Sequence, residues 1–146
     1  MINCNVLEID MQESYQITIP GPIQAWQRAG RSKNGGHFTQ AATRAAERSI
    51  GWHAVQQVGQ HCLQGALAVR LEVAVAVPAS CPPKRRAEAL AGVVRPAVKP
   101  DCDNLSKTVL DALTGVLWRD DAQVVDLHVT KHYAAEAGAV ITVRQL

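Results

Sequence analysis

Hydrophobic and polar residues alternate most cleanly between Leu67 and Val77, where Val69, Leu71, Val73 and Val75 fall on one side and Arg70 and Glu72 on the other. A period of two sustained over that length, rich in β-branched side chains and stopped by Pro78, predicts a half-buried strand. Shorter alternations predict three more strands. Tyr15-Gln16-Ile17-Thr18-Ile19 runs into Pro20-Gly21-Pro22. A strand from Gln123 to Lys131 turns Val125, Leu127 and Val129 inward, with Asp121 at its beginning. Ala139 to Val143 returns after the turn at Glu136-Ala137-Gly138.

Two stretches carry the helical period instead. Thr39 is a plausible N-cap for a helix running to about His61, with Ala42, Ala45, Ala46, Ile50, Val55, Val58 and Cys62 on its apolar face. Residues 104–116 predict a second helix, with Leu105, Val109, Ala112, Leu113 and Val116 inward and Gly115 near its end. A short helix is predicted over 84–91, inside a long basic connection at 79–99. The order β-α-β-(long basic loop)-α-β-β predicts an α+β domain: a mixed sheet of about four strands with helices packed on one face.

A chain of 146 residues with 47% apolar content suits one domain over 1–146 with a single core, and residues 1–13 read as a ragged leader. Met1 to Asp10 has no basic and apolar leader pattern, and no apolar run is long enough to span a bilayer. Cys4, Cys62, Cys81 and Cys102 show no paired metal or redox spacing and read as reduced thiols, so a cytoplasmic location is expected.

Charge is distributed unevenly. Residues 81–100 carry Lys84, Arg85, Arg86, Arg95 and Lys99 against Glu88 alone. Six of the thirteen acidic residues lie between Asp101 and Asp126, countered there only by Lys107 and Arg119. A basic block beside an acidic one suits a polyanion held next to a cation site, or two solvated faces of opposite sign. Residues 23–38 form a loop in which Arg28, Arg31 and Lys33 are interleaved with Trp26 and Phe38. Such a loop suits a phosphate backbone and a stacked base, or an ordered surface loop with aromatic anchors.

The acidic stretch poses the chemical question, because crowded carboxylates repel unless a cation or basic partner sits among them. Asp103 is the expected N-cap of the second long helix, which explains one aspartate but not Asp101 beside it. Asp121, at the start of the following strand, brings a third carboxylate back to the region. Oxygen ligands without nearby His or Cys suit Mg²⁺, with Mn²⁺ as a substitute. Lys107 follows Asp103 by one helical turn and either neutralises the cluster or meets charge on a phosphate. The simpler alternative for Asp103 with Lys107 is an ordinary helix-surface pair, and that reading is preferred for Lys107 with Asp111. A calcium loop is excluded by Leu105 at its fifth position, Ser106 in place of the glycine and Ala112 in place of the closing glutamate.

The run Lys99-Pro100-Asp101-x-Asp103-Asn104-Leu105-x-Lys107, continuing through Asp111-Ala112-Leu113 to Asp120-Asp121-Ala122-Gln123-Val124-Val125-Asp126, resembles the signature of the RusA family of Holliday junction resolvases. A looser likeness covers most of the chain. The resemblance implies a RusA-like fold and a homodimeric, Mg²⁺-dependent endonuclease that nicks four-way DNA junctions, with no organic cofactor and no membrane partner. It places the essential acids at Asp101, Asp103 and Asp121, with Asp120 as an auxiliary, and the essential lysine at Lys107. The chain departs from the shortest members in spreading its basic residues through the 79–99 connection rather than against Asp101.

The chemistry is compatible with that implication. A metal held by Asp101, Asp103 and Asp121 activates water and clamps the scissile phosphate, while Lys107 stabilises charge or orients the nucleophile. DNA contacts are expected at Arg28, Arg31, Lys33, Lys84, Arg85, Arg86, Arg95 and Lys99, and at Lys131, which matches a basic position of the family pattern. His128 and His132 share a strand face without converging and are not expected to bind metal. Two other readings stay open: a nuclease for flap or other branched DNA, and a non-catalytic DNA-binding domain.

Overall fold

The computed structural model describes residues 13–38 and 40–146. The expected leader, apart from Glu13, and the expected cap at Thr39 lie outside these residues. Six strands and three helices follow in order: β1 (Ser14–Pro20), β2 (Gly30–Arg31), β3 (His37–Phe38), α1 (Ala41–Val58), β4 (Leu67–Ala76), α2 (Pro83–Leu90), α3 (Cys102–Leu113), β5 (Val124–Ala134) and β6 (Gly138–Gln145). A single 3-10 turn, Asp121–Gln123, precedes β5. The short pair β2–β3 is a feature the alternation did not predict, because two-residue strands carry no readable period.

The main sheet is mixed, with strand order β1-β6-β4-β5. β6 pairs antiparallel with β1 and β4, whereas β4 and β5 run parallel. A parallel pair requires a crossover, and the chain makes it through α2, the following connection and α3. α3 is thereby delivered to the sheet with its N-terminus just beyond the end of the long connection.

Alternation decides which face is covered in β1, β4 and β6, but on the edge strand β5 the expected inward residues Val125 and Leu127 are exposed and only Val129 packs partly against the core. Ile17 and Ile19 from β1, Val69, Leu71 and Val73 from β4, and Ala139, Ile141 and Val143 from β6 join Ile50, Ala54, Leu105, Val109 and Leu113 in one core. α1 packs on α3 and β1, and α3 also touches β5. Fully burying side chains such as Leu105 and Leu113 contributes about 1.5–3 kcal/mol each. The opposite sheet face is polar, with Ser14, Arg70, Asp126, His128, Thr142 and Arg144 around one shallow depression.

α1 differs from its expected face. Its buried residues are Thr43, Ile50 and Ala54, while Ala42, Ala45 and Val55 are exposed. Alanine contributes too little apolar area to fix a helix's rotation, so Ile50 and the residues one or two turns from it set the stripe instead. Thr43 is accommodated because its Oγ1 accepts the Gln27 N–H at 3.3 Å. The helix also stops earlier than expected, at Gly59, whose φ of 77° suits glycine. Cys62 consequently lies beyond it and is exposed. Among the described residues, no helix is long and apolar enough to cross a membrane.

Candidate active site at the start of the third helix

α3 begins two residues earlier than the sequence suggested. Asp101, in extended conformation, is its N-cap, and Asp103 sits in the first turn. The Asp101 carbonyl already accepts the Leu105 N–H at 3.0 Å, which starts the helical ladder there. The Asp101 side chain nevertheless makes no capping hydrogen bond. Both aspartates are exposed, and their carboxylates are free to face solvent or a ligand at the helix's positive end. Capping therefore occupies neither of them. Of the expected inward face, Leu105, Val109, Ala112 and Leu113 are buried and hold the helix's rotation, whereas the helix ends at Leu113 and leaves Val116 beyond it, half-buried.

Lys107 stands one turn beyond Asp103. Its Nζ lies 3.5 Å from the centroid of the Trp26 ring, a cation–π contact. Among the described residues, the one ion pair is Arg70–Glu72, at 3.2 Å. The expected helix-surface pair of Lys107 with Asp111 is therefore not closed to contact distance, nor is the alternative pair with Asp103. Trp26 itself is pegged in place: its backbone N–H donates to the Asn104 carbonyl at 3.2 Å, next to the Gln27–Thr43 bond. The loop after β1 is thus tied to α3 and α1 together. Between this loop and Lys99, Pro100, Asp101 and Asn104 lies an open cavity of about 450 Å³.

The second acidic pair divides its labour. Asp120 caps the 3-10 turn, its Oδ1 accepting the Ala122 N–H at 2.9 Å, while Gln123 Oε1 accepts the N–H groups of Arg119 and Asp120 at 3.1 Å each. The Gln123 amide donates to the carbonyls of Leu63 and Gly65 at 2.9 and 3.1 Å. Asp121 therefore does not begin a strand as expected. It heads a turn whose position is fixed by Gln123, because the cap at Asp120 ends extended pairing before Val124.

The Asp121 charge reaches Asp111. Asp111 is held above the ordinary carboxylate range, first by loss of surrounding water, with Asp121 pushing the same way and Lys107 opposing it. Glu47 on α1 is also raised, first by partial burial and then by the Asp111 charge, with Arg44 opposing. Asp111 thus lies within electrostatic reach of Glu47, Lys107 and Asp121.

Among the described residues, no three His, Cys, Asp or Glu side chains converge closely enough to make a ready cation cage. The donor chemistry at Asp101 and Asp103 still suits Mg²⁺. That ion commonly keeps several waters and takes one or two carboxylates, completing its shell with phosphate oxygens. Free, exposed carboxylates at a helix start meet this requirement.

The basic residues expected to meet DNA fall on five segments. Arg28 lies in the Trp26 loop, while Arg31 and Lys33 lie in the β2–β3 hairpin, all exposed. Lys84, Arg85 and Arg86 lie on α2; Arg95 and Lys99 are exposed in the connection. Lys131, on β5, is half-buried and turned toward the connection, where its ammonium donates to the carbonyls of Val98 and Pro100 at 2.7 and 2.9 Å. His128 and His132 lie on the polar sheet face, and the three described cysteines are free.

Trp26 as the neighbour of Lys107, and Gln123 as the anchor of the Asp121 turn, were not anticipated. The glutamine stands inside the conspicuous Asp120–Asp126 run, so its position was visible there. Nothing near Trp26 in the sequence announces a contact with α3.

The family model described as "Endodeoxyribonuclease RusA" matches residues 20–144. A relative from Bacillus subtilis (strain 168), described as the uncharacterized protein YqaN, is 43% identical over 63 residues, covering 43% of this chain and 44% of its own length. The matched region thus spans less than half of that relative.

Proposed function

The chain belongs to the RusA family of endodeoxyribonucleases, and from that premise we propose that it is a structure-selective, metal-dependent endonuclease that resolves four-way DNA junctions by paired nicks. The observation that carries the reading is the exposed Asp101–Asp103 pair, free of capping duty, with Lys107 one turn further along the same helix.

In this reading Asp101 and Asp103 hold Mg²⁺, with Asp121 as the third acid and Asp120 an auxiliary already committed to its turn. When bound, the ion supplies Lewis-acid activation of water and neutralises the scissile phosphate. The chain's own residues do the rest. Lys107, one turn beyond Asp103 on α3, supplies an ammonium that offsets the charge that grows on the phosphoryl oxygens. Arg28, Arg31, Lys33, Lys84, Arg85, Arg86, Arg95 and Lys99 neutralise neighbouring phosphates, so affinity falls as salt rises. A homodimer is part of the proposal, because paired nicks on opposed strands require two such sites related by a two-fold axis. Mn²⁺ is expected to replace Mg²⁺.

The reading is tested by incubating the protein and Mg²⁺ with a mobile four-way junction, a flap and a plain duplex of matched sequence. Symmetric nicks confined to the junction are expected. Equal cutting of all three would show a nuclease of another preference, and binding without cutting would show a non-catalytic DNA-binding domain.

A further inference from the structure

The segment that leads into Asp101 is held in an unusual way. Residues 91–101 contain no regular secondary structure, and the peptide between Lys99 and Pro100 is cis. Within the connection, Val93 and Val94 donate back to Glu88, and Ala97 donates to Arg95. Pro100 has no N–H to contribute. Among the described residues, the only hydrogen bonds that tie 98–100 to another element come from Lys131, whose Nζ reaches the Val98 carbonyl at 2.7 Å and the Pro100 carbonyl at 2.9 Å.

Both bonds have a charged donor, the stronger class of hydrogen bond, and the one to Val98 lies at the short end of the N–H···O range. Their origin is rigid. Lys131 sits in the middle of β5, in register with the buried Val73 of β4, so its stem rises from the helix-covered face of the sheet. One lysine thereby joins the parallel β4–β5 pair to the residue immediately before the N-cap of α3. The Asp101 backbone is placed from both sides: by its own helix after it, and by this ammonium before it.

Resting on the reading of Asp101 as a site acid, we infer that Lys131 is a positioning residue, which fixes the approach of the chain to Asp101 instead of meeting a DNA phosphate. Two of its three donor positions are taken by backbone carbonyls, and the side chain is half-buried among them. A lysine used this way sets the geometry of the acid pair, where a displacement of about 1 Å costs on the order of 100-fold in rate.

The test compares wild type, Lys131→Met, which keeps the apolar stem and removes the donors, and Lys131→Arg, which restores charged donors. Three quantities are read: hydrogen exchange of the peptide spanning 97–105, junction affinity as a function of salt without divalent metal, and single-turnover nicking at saturating protein. Lys131→Met is expected to accelerate exchange in 97–105 but not in β4 or β6, to leave the salt slope of binding unchanged, and to slow nicking by about 10- to 100-fold. Lys131→Arg is expected to recover most of both effects. A salt slope lowered by about 1, with exchange and the saturated nicking rate unchanged, would make Lys131 a phosphate contact and overturn the inference. Faster exchange with an undiminished rate would overturn it too, since the segment would then be anchored without consequence for Asp101. If wild type fails to nick the junction at all, the functional reading fails, whereas the exchange comparison still reports whether Lys131 fixes the segment.

Discussion

Lys107 stands among an aromatic ring, Asp103 one turn before it and Asp111 one turn after, and the ring makes the contact. A face-on ring leaves the ammonium's charge available to an incoming anion, which a closed carboxylate pair would not. Trp26→Phe is expected to preserve nicking, while Trp26→Ala slows it by about 2- to 5-fold, the loss of an exposed cation–π contact worth about 0.5–1 kcal/mol. Asp111 offers a second residue-level check. Its acid group is raised, so its contribution to stability is complete below the ordinary aspartate range and is lost as pH rises through the raised folded value. Asp111→Asn should therefore raise the melting temperature at neutral pH, and this gain should vanish in strong acid. An equal gain at every pH would refute the assigned cause. The acids and Lys107 were legible in the sequence because helical spacing and charge crowding are local properties. Trp26 was not, because its contact with Lys107 arises only when the loop after β1 folds onto α3.

Elements explain why a short turn carries so much of the site. The 3-10 turn before β5 has little stability of its own, and Gln123 supplies four hydrogen bonds that fasten it to the backbone at 63–65 and 119–120. Gln123→Ala should cost about 1–3 kcal/mol, visible as a lower melting temperature by about 2–4 °C per kcal/mol. It should also reduce nicking, because Asp121 rides on that turn; an intact rate would remove Asp121 from the site. The apolar stripe of α3 was readable because Leu105, Val109 and Leu113 are large enough to dominate its rotation. The alanine-rich α1 misled, and the buried Thr43 was invisible as a core residue because its justification is a hydrogen bond from a distant loop. The start of α3 moved for a related reason: both Asp101 and Asp103 are good cap residues, and only the first carbonyl-to-amide bond distinguishes them.

For the whole molecule, the mixed sheet and its single helix-bearing face follow from alternation and element order, and both were anticipated. Which strands pair in parallel is set by the crossover, whose path over the sheet leaves no periodic trace. The reading also predicts bulk behaviour. Junction affinity should decline with salt by about 0.9 logarithmic units per unit of log salt for each phosphate contact, and charge removal at Arg28 or Arg85 should flatten that slope. Sedimentation should give the mass of two chains. A monomer that still nicked both strands at matched positions would contradict the two-site reading.

The most direct measurement is single-turnover nicking of a four-way junction in Mg²⁺ by wild type and Asp103→Asn, with junction affinity measured in parallel without divalent metal. Asp103 is not the cap, so the substitution leaves the start of α3 intact while removing one carboxylate charge. A rate lowered by at least about 100-fold is expected, with affinity unchanged or slightly improved. A rate close to wild type, or a loss of rate explained entirely by lost binding, would contradict it.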